Sequence, residues 1–149
     1  MKKTRESTLI ILCILSSLKE SLFIFAAPFF PEQFEIRGVP ELYFAPMFIS
    51  YSVTLLISSI YTANLMQKWG RAPILRIGSA LQAMSCVLII ALAWTEKPIS
   101  FLILGFLGRI VEGIGAGLMQ TTALAEATAQ YKNEEHKVVT WIEFSEEFG

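Results

Sequence analysis

The sequence is poor in the residues from which most catalytic and metal sites are built. Its 149 residues include no aspartate, so all thirteen acidic residues are glutamate, and they include one histidine and two cysteines. Cys13 and Cys86 both fall within apolar runs, which argues against a disulfide framework and against a metal site. Because no nucleophile, general base or set of metal ligands is visible, we expect neither an enzyme nor a resident cofactor.

The sequence also has no excess of charge of one sign, and it contains long runs without any charged residue. The formal net charge is −1, and no basic patch of the kind that binds nucleic acid is present in the sequence. Hydrophobic residues make up 54% of the chain, and the mean hydropathy is +0.54. Leu42–Met66 and Ile77–Thr95 contain no charged residue, and roughly 20 apolar residues cross a hydrocarbon core of about 30 Å. These features predict an all-α, polytopic membrane protein whose partner is the lipid bilayer.

The apolar pattern divides the chain into about four transmembrane helices and the start of a fifth. The expected spans are residues 8–30, 41–66, 73–94, 99–130 and, in part, 138–149. A secretory signal peptide also combines a basic head with an apolar stretch, but Lys19 and Glu20 interrupt the first run and no clean cleavage site follows it. At 1.5 Å per residue the fourth span is longer than the bilayer core, so its end should project into the cytoplasm.

The distribution of basic residues predicts the orientation of these spans. Only Arg37 and Lys97 fall on one side of the membrane. Eight basic residues fall on the other side: Lys2, Lys3, Arg5, Lys68, Arg71, Arg76, Lys132 and Lys137. Since Lys and Arg are retained in cytoplasmic loops, the amino terminus and His136 are expected in the cytoplasm. Residues 31–40 and Glu96 are then outside the cell or in the lumen, and the protein lies in the plasma membrane or in an organelle or vesicle membrane.

Four charged residues fall within the predicted spans and are the candidates for binding substrate or coupling a proton. They are Lys19 and Glu20 in the first span, and Arg109 and Glu112 in the fourth. Each costs about 2.5–3.5 kcal/mol to insert, and such residues usually face a bundle interior or an aqueous cavity. The adjacent pair points about 100° apart on a helix and cannot share one narrow cavity. Arg109 and Glu112 can pair across one turn, either as a purely structural pair or with Arg109 lining a cavity.

Three glycines follow at alternate positions, Gly113, Gly115 and Gly117. Their spacing outwardly resembles a phosphate-binding loop, but such a loop follows a strand and opens a helix, whereas these glycines fall inside an apolar helix. Gly113 and Gly117 form a G-x-x-x-G face, which lets two membrane helices approach closely. We therefore expect the three glycines to serve helix packing.

A basic turn joins the second and third spans and reads ANLMQKWGRA over residues 63–72. It resembles the signature G-x-L-x-D-R/K-x-G-R-R/K of the major facilitator superfamily, which implies a cytoplasmic gate. Four positions match the signature: Leu65, Lys68, Gly70 and Arg71. Ala63, Gln67 and Ala72 depart from it. Because Gln67 replaces an aspartate, the gate keeps a hydrogen bond there but loses a charge-assisted one, which is roughly twice as strong.

A second motif lies in the fourth span, where residues 109–116 read RIVEGIGA. It resembles the superfamily's fourth-helix signature R-x-x-Q-G-x-G-A and departs from it only at Glu112. Two motifs on the expected helices at the expected separation make the resemblance specific.

A finer resemblance is to the vesicular amine transporter branch of the superfamily. Residues 27–31, APFFP, are similar to the P-x-x-P end of that branch's first helix, and residues 143–149 are similar to its fifth-helix motif E-x-x-x-G-x-G, with Glu147 replacing the first glycine. Counting back from Pro28, the acid that attracts an amine cation in that branch would fall at Lys19, with Glu20 next to it. A lysine there would repel a cation.

The resemblance implies a fold of two six-helix halves, each with nested 3+3 inverted repeats, in which substrate binds between the halves. The chain covers one three-helix repeat and part of the next, so we interpret it as the amino-terminal fragment of a secondary transporter, from a truncated or split gene or a shortened chain. The expected function is transport of a small solute by alternating access, with a coupled proton as a further candidate. It would need the missing carboxy-terminal helices, and the fragment alone would be inactive. The alternative is a four-helix membrane interaction or assembly protein.

Overall fold

The chain is described by a computed structural model over residues 2–131, 139, 140 and 144, and its regular elements there are all helices. In chain order they are α1 (Lys2–Ile36), a 3₁₀ turn (Glu41–Tyr43), α2 (Phe44–Trp69), α3 (Arg71–Leu92) and α4 (Pro98–Gln130). Within the described part, three segments are long and apolar enough to cross a membrane, namely residues 41–69, 71–92 and 98–130. The predicted first span lies within α1, which has 35 residues. The all-α membrane architecture is confirmed.

Helix α1 is longer than the predicted span 8–30, because the expected connector continues as helix to Ile36. Pro28 and Pro31 lie inside it, and each removes one backbone hydrogen bond. Phe30 and Phe34 are four residues apart on one face and are both buried, so packing holds the helix together across the prolines. The helix ends at Ile36. Gly38 follows with φ at +62°, and the N–H groups of Gly38 and Val39 donate to carbonyls of the last turn, a common way to end a helix.

The basic turn between α2 and α3 is tighter than the sequence predicts. Only Gly70 is non-helical, with φ at +80°, a backbone conformation that L side chains rarely adopt. Its N–H donates to the Met66 carbonyl at 3.0 Å and so closes α2. Pro73 lies in the first turn of α3. Backbone N–H groups in the first turn have no intrahelical acceptor, so a proline there costs no hydrogen bond. The remaining gate-motif residues therefore belong to helix ends rather than to a loop.

Helix α4 lies at the centre of the bundle, between α2 and α3, and the latter two contact each other little. Its glycines divide between the two interfaces, because positions two apart on a helix point about 200° apart. A Cβ at Gly117 would lie 2.6 Å from the Leu55 carbonyl oxygen of α2, and Gly113 is similarly close to α2. A Cβ at Gly115 would lie 3.0 Å from the Gly78 carbonyl oxygen of α3. The three glycines thus allow two neighbours to approach one helix.

The core has an aromatic cluster at one end of the bundle and a smaller apolar cluster at the other. The aromatic cluster consists of Phe30, Phe34, Val39, Met47, Leu92 and Phe101. The smaller cluster consists of Leu12, Ala123 and Ala127. Many large apolar side chains remain exposed, including Leu56 and Ile60 on α2. Such a surface suits contact with lipid or with further helices, not with water.

The predicted fifth span falls mostly outside the described residues. Val139, Thr140 and Phe144 are helical, in agreement with a helix that opens near residue 138. The polar loop that carries His136, and Glu143, Glu146 and Glu147, lie outside the part of the chain that the structure describes.

Candidate functional site

The four predicted intramembrane charges lie together as two ion pairs, which we call the charge cluster. Arg109 Nη1 lies 2.8 Å from Glu112 Oε2, and both side chains are almost wholly buried, at 0% and 1% exposure. Lys19 Nζ lies 2.8 Å from Glu20 Oε1, with Lys19 buried and Glu20 partly exposed. Glu20 is close enough to Glu112 for the two carboxylates to interact electrostatically. The fold therefore brings the charges of α1 and α4 into one neighbourhood.

Arg109 is enclosed by aromatic rings rather than by open space. Its guanidinium carbon lies 4.3 Å from the ring centroid of Phe48 and 5.1 Å from that of Phe30, with Tyr51 at 6.0 Å. The faces of aromatic rings attract cations, most strongly where water is excluded. Rings from α1 and α2 thus replace the solvent around a buried cation, and Glu112 balances its charge. Arg109 thus packs against rings of α1 and α2, and its predicted place on the wall of a substrate cavity stays a prediction.

Within the described part of the chain, one carboxylate oxygen of Glu112 is hydrogen-bonded and the other is not. Oε2 accepts a hydrogen bond from Arg109 Nη1, whereas Oε1 is buried without a hydrogen-bond partner there. Leaving a buried polar atom unsatisfied costs about 1–3 kcal/mol, and more when it is charged. Oε1 is therefore the oxygen of Glu112 that can accept a further hydrogen bond while Oε2 keeps its contact with Arg109.

Lys19 lines a cavity of about 430 Å³ between α1, α3 and α4. Leu15, Gln82 and Met119 form other parts of its wall. Glu20 is not among the residues that line it, so the two adjacent charges do point to different surroundings, as their helical geometry requires. Their ion pair forms nonetheless, because the lysine side chain is long enough to reach its neighbour.

Among the described residues, the gate motif makes an interhelical ion pair whose acidic partner the sequence analysis missed. Arg71 Nη1 donates to Glu126 Oε2 at 3.0 Å, which joins the start of α3 to the end of α4. Glu126 is held in place by Gln130 Nε2, which donates to its other oxygen at 2.5 Å. The motif positions Ala63, Leu65, Gln67 and Lys68 lie in the last turns of α2. Gln67 is exposed, and the described contact of the motif with α4 is made by Arg71 with Glu126.

At the opposite end of the bundle, Arg37 is a second residue whose role the sequence did not reveal. Its Nε donates to the Thr95 carbonyl at 2.6 Å, and its Nη2 donates to the Leu92 carbonyl at 3.1 Å. The guanidinium also lies 4.7 Å from the ring centroid of Phe101. Carbonyls at a helix C-terminus lack intrahelical donors and attract cations. Arg37 therefore caps α3 and ties the end of α1 to the turn before α4.

The comparison with protein families agrees with this architecture. The family model of the Major Facilitator Superfamily matches residues 3–145, which is nearly the whole chain. The chain belongs to the Major Facilitator Superfamily. No curated protein and no solved structure matches it. As a facilitator, the chain is an integral membrane protein of a transporter family rather than of an enzyme family. The charge cluster lies on α1 and α4, and the gate motif lies where α2 meets α3.

Proposed function

We propose that this facilitator chain is the amino-terminal part of a secondary transporter that moves a small solute by alternating access. The observation that carries the proposal is that two ion pairs, Lys19–Glu20 and Arg109–Glu112, lie inside helices of a membrane protein, with every member buried except the partly exposed Glu20. Four such residues together cost about 10–14 kcal/mol on insertion scales. Hydrophobic residues of similar volume in place of a buried ion pair are often neutral or stabilising. Charges that stability alone does not require suggest a role in binding or coupling.

The unequal packing of the helices suggests how the charge cluster would change during transport. Helix α4 is held closely between α2 and α3, whereas α1 packs on α4 less extensively. Movement of α1 relative to α4 would separate Glu20 from Glu112 and would open the ring enclosure of Arg109 at Phe30. Since opposite charges within about 4–6 Å stabilise each other's ionised form, a solute or proton that engages one pair would alter the other. We assign Glu112 the proton and Lys19 and Arg109 the solute.

The pair Arg71–Glu126 is the proposed contact of the cytoplasmic gate. It links the ends of α3 and α4 on the side that the basic residues mark as cytoplasmic. Both side chains are partly exposed, so the bond is weak enough to break and re-form during each cycle. This side also defines the proposed orientation, with the amino terminus in the cytoplasm.

The likeness to the vesicular amine transporter branch remains a proposal about descent rather than about substrate, because Lys19 stands where that branch carries an acid. We do not propose the assembly-factor alternative. The face of Gly113 and Gly117 that suggested it already packs against α2 of the same chain. We propose instead that transport requires further helices of the superfamily fold, which places substrate between two six-helix halves.

The proposal is tested by reconstituting the protein from its full reading frame into liposomes. A panel of organic anions, amines and neutral sugars is applied, and solute uptake and internal pH are recorded. We expect saturable uptake of at least one solute class, and we expect Arg109→Leu to abolish it while Lys97→Gln, at an exposed position, leaves it unchanged. Uptake at the normal rate by Arg109→Leu would show that this residue is structural. No uptake of any solute by the unaltered protein would refute the transport function.

A further inference from the structure

A cavity of about 320 Å³ lies where α1 ends and α2 begins, and we call it the α1–α2 cavity. Pro31 and Phe34 of α1, Glu41 of the 3₁₀ turn and Phe44 of α2 line it. Its volume is at the lower end of the roughly 300–1,000 Å³ that is usual for small-molecule sites. Pro31 and Glu41 are exposed, so the cavity opens to the surroundings of the bundle. The distribution of basic residues predicts that this end of the bundle is the non-cytoplasmic one.

Two phenylalanine rings form one corner of the α1–α2 cavity. Phe34 is 1% exposed, and the ring of Phe44 lies 6.2 Å from its ring centroid, with an angle of 84° between the two ring planes. Phe34 also packs on Phe101 at 5.5 Å and Phe44 on Phe48 at 4.7 Å, so neighbours hold both rings in place. A group that sits in the corner between perpendicular rings can approach the faces of both. Because ring faces carry partial negative charge, this corner favours a cation, and above all an alkylated ammonium ion.

Glu41 supplies the charge of the α1–α2 cavity. It is exposed, and its carboxylate has no hydrogen-bond or ion-pair partner among the described residues. Of the described residues that line the cavity, it alone is charged. Glu41 also lies in the first turn of a helical segment, where an anion interacts favourably with free backbone N–H groups. That structural role needs no aromatic neighbours, so it does not account for the corner of rings beside the carboxylate.

We propose that the α1–α2 cavity binds a small organic ammonium ion, whose charged nitrogen carries alkyl groups. Glu41 balances the charge of this ion, and Phe34 and Phe44 pack against its alkyl groups. A divalent metal ion takes several oxygen ligands, whereas the described wall offers one carboxylate. The described part of the chain also contains no group of three or more residues that could hold a metal ion. An anion would be repelled by Glu41, and a neutral compound would leave its carboxylate without a counter-ion.

The α1–α2 cavity is separate from the charge cluster. At 1.5 Å per residue, Phe34 lies about 22 Å from Lys19 along the axis of α1. In the direction of Arg109, the ring of Phe48 intervenes. Its centroid lies 4.7 Å from that of Phe44 and 4.3 Å from the guanidinium carbon of Arg109. We therefore assign the ammonium ion to a second site, which is independent of the proposed transport function and is not the site of the transported solute.

Choline and its neutral carbon analogue test the requirement for charge, because the analogue carries a tert-butyl group in place of the trimethylammonium group. The protein from its full reading frame is placed in lipid nanodiscs, and each compound is titrated in at constant ionic strength. Binding is measured by saturation-transfer NMR, with empty nanodiscs as the blank. We expect saturable transfer to the N-methyl protons of choline. The Kd of the carbon analogue should be about fivefold higher or more, since it lacks both the ion pair and the attraction to the rings.

Substitutions locate the bound choline on the protein. Glu41→Gln keeps the size of the side chain and removes its charge, and it should raise the Kd about two- to fivefold. Phe44→Leu removes a ring face and should raise the Kd by a similar factor. Glu35→Gln is the matched control, because this exposed acid lies near the same end of α1 and does not line the cavity. Its Kd should equal that of the unaltered protein.

Glu41→Gln decides the outcome even if Phe44→Leu fails to fold, because Glu41 is exposed and its substitution leaves the packing intact. Transfer no greater than that in empty nanodiscs, or an equal Kd for choline and its carbon analogue, would overturn the proposal. So would a Kd that Glu41→Gln leaves unchanged. Equal weakening by Glu41→Gln and Glu35→Gln would also overturn it, because choline would then respond to the negative charge of the whole surface.

Discussion

Gly117 offers the sharpest test of how α4 is held in the bundle. An alanine Cβ at this position would lie 2.6 Å from the Leu55 carbonyl oxygen and would also press on the Ser58 hydroxyl. Ordinary contacts begin near about 3.5 Å, so α2 would have to move by about 0.9 Å. Backbone atoms cannot yield as a flexible side chain can. Overpacking of this kind destabilises by about 1–3 kcal/mol.

Gly108 on the same helix supplies the matched control. It is also buried, but an alanine Cβ there would meet only side-chain carbons of Ile89 and Leu88, both at 3.7 Å. Because alanine is the better helix former by roughly 0.5–1 kcal/mol, Gly108→Ala should be neutral or stabilising. The gain in helix propensity is common to both variants, so their free energies of unfolding should differ by the overpacking cost of about 1–3 kcal/mol.

The assay is unfolding in mild detergent by titration with a denaturing detergent, followed by tryptophan fluorescence. Gly117→Ala should unfold at a lower denaturant fraction than the unaltered chain, and Gly108→Ala at the same or a higher fraction. Equal effects of the two substitutions would show that Gly117 is not needed for the close approach of α2 to α4, and would refute this reasoning.

Three further outcomes follow from the contacts at the ends of the bundle. Arg37→Gln should destabilise the protein by about 1–3 kcal/mol because α3 loses its cap, and thermal unfolding identical to that of the unaltered chain would contradict this. A double-mutant cycle on Arg71 and Glu126 should give a coupling of about 0.2–1 kcal/mol, as for other exposed pairs, and a much larger value would mean a buried gate. In an otherwise cysteine-free chain within sealed cells, an impermeant thiol reagent should label a cysteine at Glu96 but not one at Lys68. Equal labelling of both would refute the proposed orientation.

The helices were predictable because hydrocarbon imposes a length and a composition on every span. The expected spans 41–66 and 73–94 agree with the ends of α2 and α3 to within three residues. The i,i+3 spacing of Arg109 and Glu112 likewise predicted a pair, and their atoms lie 2.8 Å apart. Such contacts depend on one helix alone, and the sequence contains all the information they require.

Contacts between distant segments were not predictable in the same way. Arg37 reaches Thr95 across 58 residues, and Arg71 reaches Glu126 across 55. Both depend on which helix faces which, and hydrophobic periodicity does not specify that when a helix is apolar on every side. For the same reason, the division of the α4 glycines between two neighbours emerged only from the packed bundle. The packing of Phe30 and Phe48 against Arg109 depends on α1 and α2 together, so the sequence alone did not indicate which rings contact this residue.

The central claim is that the charges buried on α1 and α4 serve transport and not only folding, and a doubly neutral variant tests it most directly. Arg109→Leu combined with Glu112→Leu leaves neither charge without its partner, so the protein should fold with equal or greater stability. Uptake of the solute that the unaltered protein carries is then measured in liposomes at matched protein density. Our account predicts a stable protein with no uptake above empty liposomes. Uptake at the unaltered rate would contradict it and would make Arg109–Glu112 a structural pair.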